Sequence, residues 1–311
     1  MTLAVVFPGQ GSQSVGMLAE LAAAFPSVQA TFAEASEVLG YDLWALVQGG
    51  PGETLNSTER TQPAMLAAGV AVWRVWTEQG KPTPSVMAGH SLGEFTALVC
   101  AGALDFRDAI AAVQFRGRVM QEAVPAGAGA MAAILGLEDA DVEAACAEAA
   151  EGEVVEPVNY NSPGQLVIAG HAAAVSRALE ACKARGAKRA LLLPVSVPAH
   201  SSLLQPAAER LAEHLAGVSV RVPTIPVYAI GLKRHDSPAA IRAQVVAQLA
   251  GAVRWTDTVR DMVANGATQI VECGPGKVLT SLNRRIERNK EIGMSAIEDP
   301  ASLAAALALG V

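Results

Sequence analysis

The hydrophobic and polar positions alternate along the chain in a way that predicts an α/β protein. Leu3–Phe7 is a short apolar run that ends at Pro8-Gly9, a pattern typical of a buried strand. Helical periodicity then covers three segments, 17–25, 27–39 and 62–79. A second short apolar run, Ser85–Ala88, leads at once into a further helical segment. Strands and helices therefore alternate from the start of the chain.

The middle of the chain changes character. Strand, helix, strand, strand, helix and strand are predicted there in this order: Ala130–Leu137, Asp139–Ala149, Val154–Tyr160, Gln165–Ala169, Ala172–Arg185 and Ala190–Val197. This βαββαβ order is that of a ferredoxin-like unit. Alternation then resumes with helices at 203–215, 238–250 and 256–265, strands at 225–229 and 269–272, and helices from 277 and 302. We predict a doubly wound core, residues 1–126 and 199–311, interrupted by a small α+β subdomain, residues 127–198.

Composition narrows the class of protein. Hydrophobic residues make up 51% of the chain, yet no apolar run approaches the roughly 20 residues that a membrane span needs. The N-terminus lacks the basic segment and cleavage site of a signal peptide. A net charge of −7 argues against a nucleic-acid partner, and the 4 cysteines have neither zinc-ligand nor disulfide-framework spacing. We expect a soluble cytoplasmic protein with no membrane, nucleic-acid or metal partner.

The strongest chemical signal is a G-x-S-x-G turn. Gly89–Gly93 reads GHSLG and lies between a predicted strand and a predicted helix, as a nucleophile elbow requires. Flanking glycines let the two backbones approach, and the helix N-terminus stabilises developing negative charge. A purely structural glycine turn is the alternative. The pattern favours Ser91 as a nucleophile.

A serine nucleophile needs a base, and the chain has 5 histidines. His90 lies inside the turn, where its ring is not expected to reach back to the neighbouring serine hydroxyl in the geometry of a base. His171, His214 and His235 fit helix caps or solvated positions. His200 follows an apolar strand and precedes a helix, where sites of α/β proteins cluster, and is the best candidate.

The acid of a hydrolase triad has no convincing candidate. The aspartates between the serine and the base lie at helix starts, and the glutamates flank a turn in the small subdomain: Asp105, Asp108, Asp139, Asp141, Glu151, Glu153 and Glu156. We therefore expect a Ser–His dyad in which an amide or a backbone carbonyl orients His200.

Two further features belong to the expected pocket. The loop Pro8–Gln13 offers free backbone N–H groups, and the N–H of Gln10 beside that of Leu92 would form an oxyanion hole. Arg116 projects onto the edge of an apolar helical stripe formed by Ala109, Val113, Met120 and Val124. A buried guanidinium needs an anion, so Arg116 forms either a structural salt bridge or a bidentate clamp for a substrate carboxylate.

Motifs in one order along residues 7–279 resemble those of a known family. They are FPGQGSQ, QPAML, GHSLGEF, FRGRVM, NSPGQLVIAG, VPAHS, AVRW and ECGPGKVL. The chain resembles malonyl-CoA:acyl carrier protein transacylases of fatty-acid synthesis and the acyltransferase domains of polyketide synthases. The resemblance implies a hydrolase-like α/β core with an inserted ferredoxin-like subdomain and an active site between them.

The resemblance also implies roles for particular residues. Ser91 would be the acyl nucleophile and His200 the base, supported by the main-chain carbonyl of Gln248. Arg116 would bind the free malonyl carboxylate. Gln10 and Leu92 would supply the oxyanion hole, Met120, His90 and Asn161 would line the pocket, and Lys188 and Arg189 would meet coenzyme A or phosphopantetheine phosphates. Malonyl-CoA and acyl carrier protein would be the partners of a monomer that needs no metal or other cofactor.

The chain departs from the family pattern at two places near the support of His200. Ile230-Gly231-Leu232 stands where the family usually has Asn-Val-Asp, and Ala250-Gly251-Ala252 replaces a common Tyr-x-Pro. Three other functions stay open at this point: a polyketide-type loader of malonyl or methylmalonyl groups, a G-x-S-x-G thioesterase or esterase, and a non-catalytic module that binds a carrier protein.

Overall fold

The computed structural model describes residues 2–80, 82–195 and 197–308. Its strands are β1 Leu3–Phe7, β2 Val86–Gly89, β3 Gly129–Leu135, β4 Val155–Ser162, β5 Gln165–His171, β6 Arg189–Leu192, β7 Gln269–Cys273 and β8 Gly293–Ile297. The α-helices are α1 Ala19–Ala24, α2 Pro26–Leu39, α3 Leu43–Gly49, α4 Gly52–Asn56, α5 Thr58–Glu78, α6 Gly93–Cys100, α7 Phe106–Glu122, α8 Asp139–Ala149, α9 Ala172–Ala184, α10 Gln205–Ala216, α11 Pro238–Ala247, α12 Trp255–Ala264, α13 Val278–Ile286 and α14 Pro300–Ala308. Short 3₁₀ turns cover Ser202–Leu204, Ile230–Leu232 and Gln248–Ala250. The predicted α/β fold class is confirmed.

A parallel sheet forms the larger core. Within the described residues its strand order is β2-β1-β7-β8, and every pair is parallel. Strand β1 is apolar and buried along its whole length because helices cover both faces of the sheet. The register pairs Phe7 at the end of β1 with Gly89 at the end of β2. The loops that follow these two strands therefore leave the sheet side by side.

The second sheet is antiparallel, with the order β4-β5-β3-β6 in the part of the chain that the structure describes. This is the strand order of the predicted ferredoxin-like unit, and α8 and α9 pack against the sheet. Strand β6 ends at Leu192, short of the predicted end at Val197. Ser196 of that prediction, and residues 1, 81 and 309–311 of the predicted core, lie outside the described residues. The boundaries 127 and 198 stay a prediction.

Some predicted elements were wrong or missing. The predicted strand Ile225–Ala229 forms only isolated bridges, one of them between Val227 and Met87. Pro226 lacks the N–H that a sheet ladder needs at this position. Strand β8 was missed because most of its residues are only partly buried, and the short helices α3 and α4 were missed as well. In the described part of the chain, no helix has both the length and the apolar composition that a membrane span requires.

Candidate active site

The turn after β2 has the geometry of a nucleophile elbow. Ser91 has a left-handed backbone (φ 52°), and helix α6 begins two residues later at Gly93. A Cβ on Gly89 would lie 1.8 Å from the carbonyl carbon of Gly93, and a Cβ on Gly93 would lie 2.1 Å from the oxygen of Phe7. Only glycine fits at both positions, because strand, turn and helix pass within van der Waals distance of one another.

His200 lies directly against the serine. Its Nε2 is 2.7 Å from Ser91 Oγ, and its Nδ1 donates to the main-chain oxygen of Gln248 at 2.8 Å. With the proton on Nδ1, Nε2 carries a lone pair that accepts from the serine hydroxyl. Burial and the nearby charge of Arg116 lower the pKa of His200 to about 3, so the ring is neutral at neutral pH. A carbonyl, rather than a carboxylate, orients the base.

The first loop brings backbone N–H groups to the same place. Gln10 and Leu92 both line the cavity that contains Ser91 and His200. A Cβ on Gly9 would lie 2.4 Å from the oxygen of His90, so the two loops are in direct contact. Among the described residues, neither the N–H of Gln10 nor that of Leu92 donates to a protein acceptor. Both N–H groups are therefore available to an oxyanion formed beside Ser91.

Arg116 on α7 is buried in the wall of this cavity, with 1% of its surface exposed. Its Nη1 donates to Gln62 Oε1 at 2.7 Å and its Nη2 to Gln248 Oε1 at 3.0 Å, while Nη2 also lies 3.4 Å from Ser91 Oγ. Both amide partners are neutral, so the arrangement is not the structural salt bridge that the sequence left open. Burial lowers the pKa of Arg116 to about 10, and the guanidinium stays charged at neutral pH.

Two buried residues near the dyad, Glu94 and Gln62, were not singled out from the sequence. Glu94 in the first turn of α6 is 3% exposed, and its Oε1 accepts from His235 Nε2 at 2.8 Å. Its Oε2 accepts from Nε2 of Gln248 at 2.5 Å. The expectation that His235 is a cap or a solvated residue was wrong, because its side chain has no exposed surface. Gln62 was also missed, and a polar residue within the apolar stretch of α5 was the available signal.

The remaining predicted pocket residues divide into two groups. Met120 lines the cavity, and its sulfur accepts from Gln62 Nε2 at 3.4 Å. His90 also lines the cavity, whereas Asn161 is not among the lining residues. His90 Nε2 lies 2.9 Å from Oδ1 of Asn161, which joins the elbow to β4 of the antiparallel sheet, and burial lowers the pKa of His90. Lys188 and Arg189 are exposed at the start of β6 and do not line the cavity. At about 3.3 Å per strand residue, Arg189 lies about 13 Å and Lys188 about 17 Å from Leu193, the cavity residue that follows β6.

The cavity has a volume of about 410 Å³ and opens between the two sheets. Gln10, Ser91 and Arg116 line one wall; the other wall includes Met131, Asn159, Leu193, Pro194 and Val195. No group of three or more His, Cys, Asp or Glu side chains in residues 2–80, 82–195 and 197–308 is placed to hold a metal ion. A serine with a neutral histidine base, two N–H donors and a buried cation can perform nucleophilic acyl transfer to or from an anionic acyl group.

Comparisons with known proteins agree with this chemistry. The model of the acyl transferase domain family matches residues 4–298. The chain is 58% identical to the malonyl CoA-acyl carrier protein transacylase of Escherichia coli strain K12, covering 98% of this chain and 99% of that protein. It resembles the crystal structure of an acyl carrier protein S-malonyltransferase from Vibrio cholerae (TM-score 0.95, 57% identity, 98% and 99% of the two chains). It also resembles a malonyl-transacylase solved in complex with a holo type II PKS acyl-carrier protein (TM-score 0.96, 57% identity, 99% of each chain).

Proposed function

This chain belongs to the acyl transferase domain family, and from that premise we propose that it transfers the malonyl group of malonyl-CoA to the phosphopantetheine thiol of an acyl carrier protein. The observation that carries the proposal is the placement of one hydroxyl. Ser91 Oγ lies 2.7 Å from the His200 base and 3.4 Å from the buried Arg116 guanidinium. The nucleophile therefore meets a base and a fixed cation in a single cavity.

The first half-reaction acylates the serine. Ser91 Oγ attacks the thioester carbonyl carbon while His200 Nε2 takes the hydroxyl proton. The tetrahedral oxyanion lies against the N–H groups of Gln10 and Leu92. When the carbon–sulfur bond breaks, His200 returns the proton to the leaving coenzyme A sulfur, and a malonyl-serine ester remains.

The second half-reaction runs in the opposite direction with a different thiol. The carrier's phosphopantetheine sulfur attacks the ester carbonyl carbon, and His200 takes the thiol proton. The carbon–oxygen bond then breaks, and His200 returns the proton to Ser91 Oγ. Because coenzyme A leaves before the carrier thiol attacks the malonyl-serine, the reaction is ping-pong. Exchange between a thioester and an ester changes no oxidation state, so it needs no redox cofactor, and His200 handles the proton without a metal.

Arg116 supplies the preference for a malonyl group. Its N–H groups directed at the cavity pair with the distal carboxylate while Ser91 attacks the other end of the acyl chain. An acetyl group leaves the buried guanidinium without an anion, which costs transition-state binding. Gln62 and Gln248 hold the guanidinium through amide oxygens and so leave its charge for the substrate.

A basic surface at one end of the antiparallel sheet would receive the acidic carrier protein. It is formed by Lys188, Arg189, Arg284 and Arg285, all of which are exposed. Arg285 Nη1 donates to Oε1 of Gln165 at the start of β5, and the stem of Lys188 packs against Gly136 at the end of β3. The loops beside Lys188 and Arg285 are neighbours, because the N–H of Gly136 donates to the main-chain oxygen of Gly164 at 2.8 Å. A net charge of −7 makes such a local patch necessary for docking an acidic partner.

The setting of the reaction completes the proposal. We propose a monomer that works in the cytoplasm and supplies malonyl groups to fatty-acid synthesis, with polyketide synthesis as the alternative. The core of residues 1–126 and 199–311 would carry the dyad and the arginine, and the subdomain of residues 127–198 would close the cavity.

Mass spectrometry of the intact protein tests the reaction directly. After exposure to malonyl-CoA we expect one malonyl adduct on Ser91, and the adduct should pass to holo carrier protein when that is added. Ser91→Ala should form no adduct. Single-turnover labelling with malonyl-, methylmalonyl- and acetyl-CoA should rank malonyl first.

The rival functions give different results. A thioesterase would release malonate rapidly without any carrier protein, and a non-catalytic binding module would form no covalent adduct. Methylmalonyl labelling as fast as malonyl labelling would indicate a polyketide-type loader. For the docking surface, charge reversal at Lys188 and Arg189 should weaken carrier binding and flatten its salt dependence, and unchanged binding would refute that surface.

A further inference from the structure

Gln248 touches each of the three groups that the proposed reaction needs. Its main-chain oxygen accepts from His200 Nδ1 at 2.8 Å. Its side-chain Oε1 accepts from Arg116 Nη2 at 3.0 Å, and its Nε2 donates to the main-chain oxygen of Ser91 at 3.0 Å. The position of this residue therefore sets the base, the cation and the elbow together.

The orientation of the Gln248 amide is decided by charges on its two sides. Its oxygen faces the Arg116 guanidinium, and its nitrogen faces Oε2 of Glu94. An amide turned by 180° would set a donor against the guanidinium and an acceptor against the carboxylate. Because a guanidinium only donates and a carboxylate only accepts, one orientation is favoured at both ends.

Glu94 is itself held in place from the other side. His235 Nε2 lies 2.8 Å from Glu94 Oε1, and Nδ1 of His235 has no partner among the described residues. With a proton on Nε2 the ring donates to Glu94, and a lone pair at Nδ1 needs no acceptor there. The Glu94 carboxylate also lies in the first turn of α6, where the helix dipole favours a negative charge.

Glu94 acts on Arg116 across the amide instead of by direct contact. Its charge favours the protonated guanidinium, opposing the larger effect of burial. A carboxylate in direct contact would occupy N–H groups that the substrate carboxylate needs. With Gln248 between them, the cation is supported and its cavity-facing donors stay free.

We propose that Glu94, held by His235, is a positioning residue for malonyl recognition: it fixes the Gln248 amide so that the amide oxygen holds Arg116 beside Ser91. The inference rests on the proposed malonyl transfer and adds to it a residue pair that never touches the substrate. Its specific consequence is a loss of acyl selectivity when the pair is altered, because the Gln248 amide then no longer fixes Arg116. His200 stays held by the main-chain oxygen of Gln248, and the main-chain oxygen of Ser91 still accepts from the N–H of Glu94.

The decisive variant is Glu94→Gln, which keeps the size of the side chain and removes its charge. It forces either the Gln248 amide to turn its nitrogen toward Arg116, or His235 to move its proton to Nδ1, where none of the described residues offers an acceptor. We expect kcat/KM for malonyl-CoA to fall about tenfold, mainly through KM, with the value for acetyl-CoA changed less than about threefold. If Glu94 had a merely structural role, kcat/KM would fall by the same factor for both substrates.

Two matched variants of His235 test the proposal independently of Glu94→Gln. His235→Gln restores an N–H donor toward Glu94 and should keep the malonyl-to-acetyl ratio within about threefold of the parent, whereas His235→Leu should lower it about fivefold. Thermal unfolding of each variant shows whether it is folded at the assay temperature. If Glu94→Gln does not fold, the two His235 variants decide the matter.

The outcomes separate this inference from the proposed function. If the parent protein forms no malonyl-serine adduct, the proposed function fails. If the parent is acylated and Glu94→Gln keeps the parent's selectivity, or if His235→Leu and His235→Gln are equally selective, the positioning role is overturned while the proposed function stands.

Discussion

Replacing Arg116 with alanine should abolish the preference for malonyl over acetyl groups. The guanidinium is 1% exposed, is held by Gln62 and Gln248, and has Nη2 3.4 Å from the Ser91 hydroxyl. A malonyl carboxylate bound to it is therefore shielded from water and paired with a cation that no carboxylate in the described part of the chain contacts.

The size of the effect follows from this burial. Removing one partner of a buried charge pair costs about 3–5 kcal/mol. For kcat/KM with malonyl-CoA this corresponds to a loss of about two hundred- to several thousand-fold. Acetyl-CoA has no carboxylate to lose, and Arg116→Ala also removes the unpaired cation that opposes it. Acylation by acetyl-CoA should therefore stay constant or rise.

The assay is single-turnover acylation of Ser91, quenched and measured by mass spectrometry with each acyl-CoA. Arg116→Lys keeps the charge but not the planar fork, and should fall between the parent and Arg116→Ala. Arg118→Ala is the matched control, because Arg118 lies on the same helix but is exposed over the ring of Phe115. The reasoning is refuted if Arg116→Ala keeps the parent's preference, or if Arg118→Ala loses it equally.

Other features give further expected results. His200 works as a neutral base, so activity is lost only as pH falls through its folded pKa of about 3. Initial acylation rates should therefore stay level from about pH 8 to about pH 5, whereas a base with an ordinary histidine pKa would lose about thirtyfold in rate at pH 5. A pH profile with its midpoint near pH 6.5 would contradict this. Gly93→Ala should lower the free energy of unfolding by at least about 3 kcal/mol in denaturant, because its Cβ would lie 2.1 Å from the Phe7 oxygen. Gly49→Ala is the control, since a Cβ there meets nothing within 4 Å and should be tolerated. Equal effects of the two substitutions would contradict the steric argument. Burial raises the pKa of Glu272 from 4.5 to about 6, so its contribution to stability is present below about pH 4.5 and is lost as pH rises through about 6. Glu272→Gln lacks this titration and should gain about 2 kcal/mol relative to the parent between about pH 4 and pH 7 in urea unfolding, and a difference independent of pH would refute the sign.

Local patterns predicted the fold well where neighbouring residues decide the structure. Helix α8 was predicted with its observed bounds, Asp139–Ala149, because its acidic start and apolar spacing are local signals. The elbow was also predictable, since Gly89 and Gly93 are needed for a close approach within one short turn. Strand β8 was not, because its pairing with β7 is decided by the assembled sheet and not by its own partly polar sequence.

The residues that the sequence did not reveal are those whose partners lie far along the chain. Glu94 meets His235 across 141 positions and Gln248 across 154. His235 stands in a charged loop, where solvent exposure is the ordinary expectation, and only the fold turns it inward. The sequence signal for Glu94 was a lone carboxylate in the otherwise apolar start of α6, directly after the elbow motif.

The two residues of the dyad share a backbone feature with an evolutionary meaning. Ser91 (φ 52°) and His200 (φ 68°) are both non-glycine residues in the left-handed region, which costs about 1–2 kcal/mol at each position. Selection for chemistry, and not for folding, therefore maintains a serine and a histidine here. In a duplicated copy released from that selection, glycine and asparagine should replace them early, while the buried apolar strands remain unchanged. Substitution at these two positions is thus a marker of a descendant that folds in the same way but has lost the reaction.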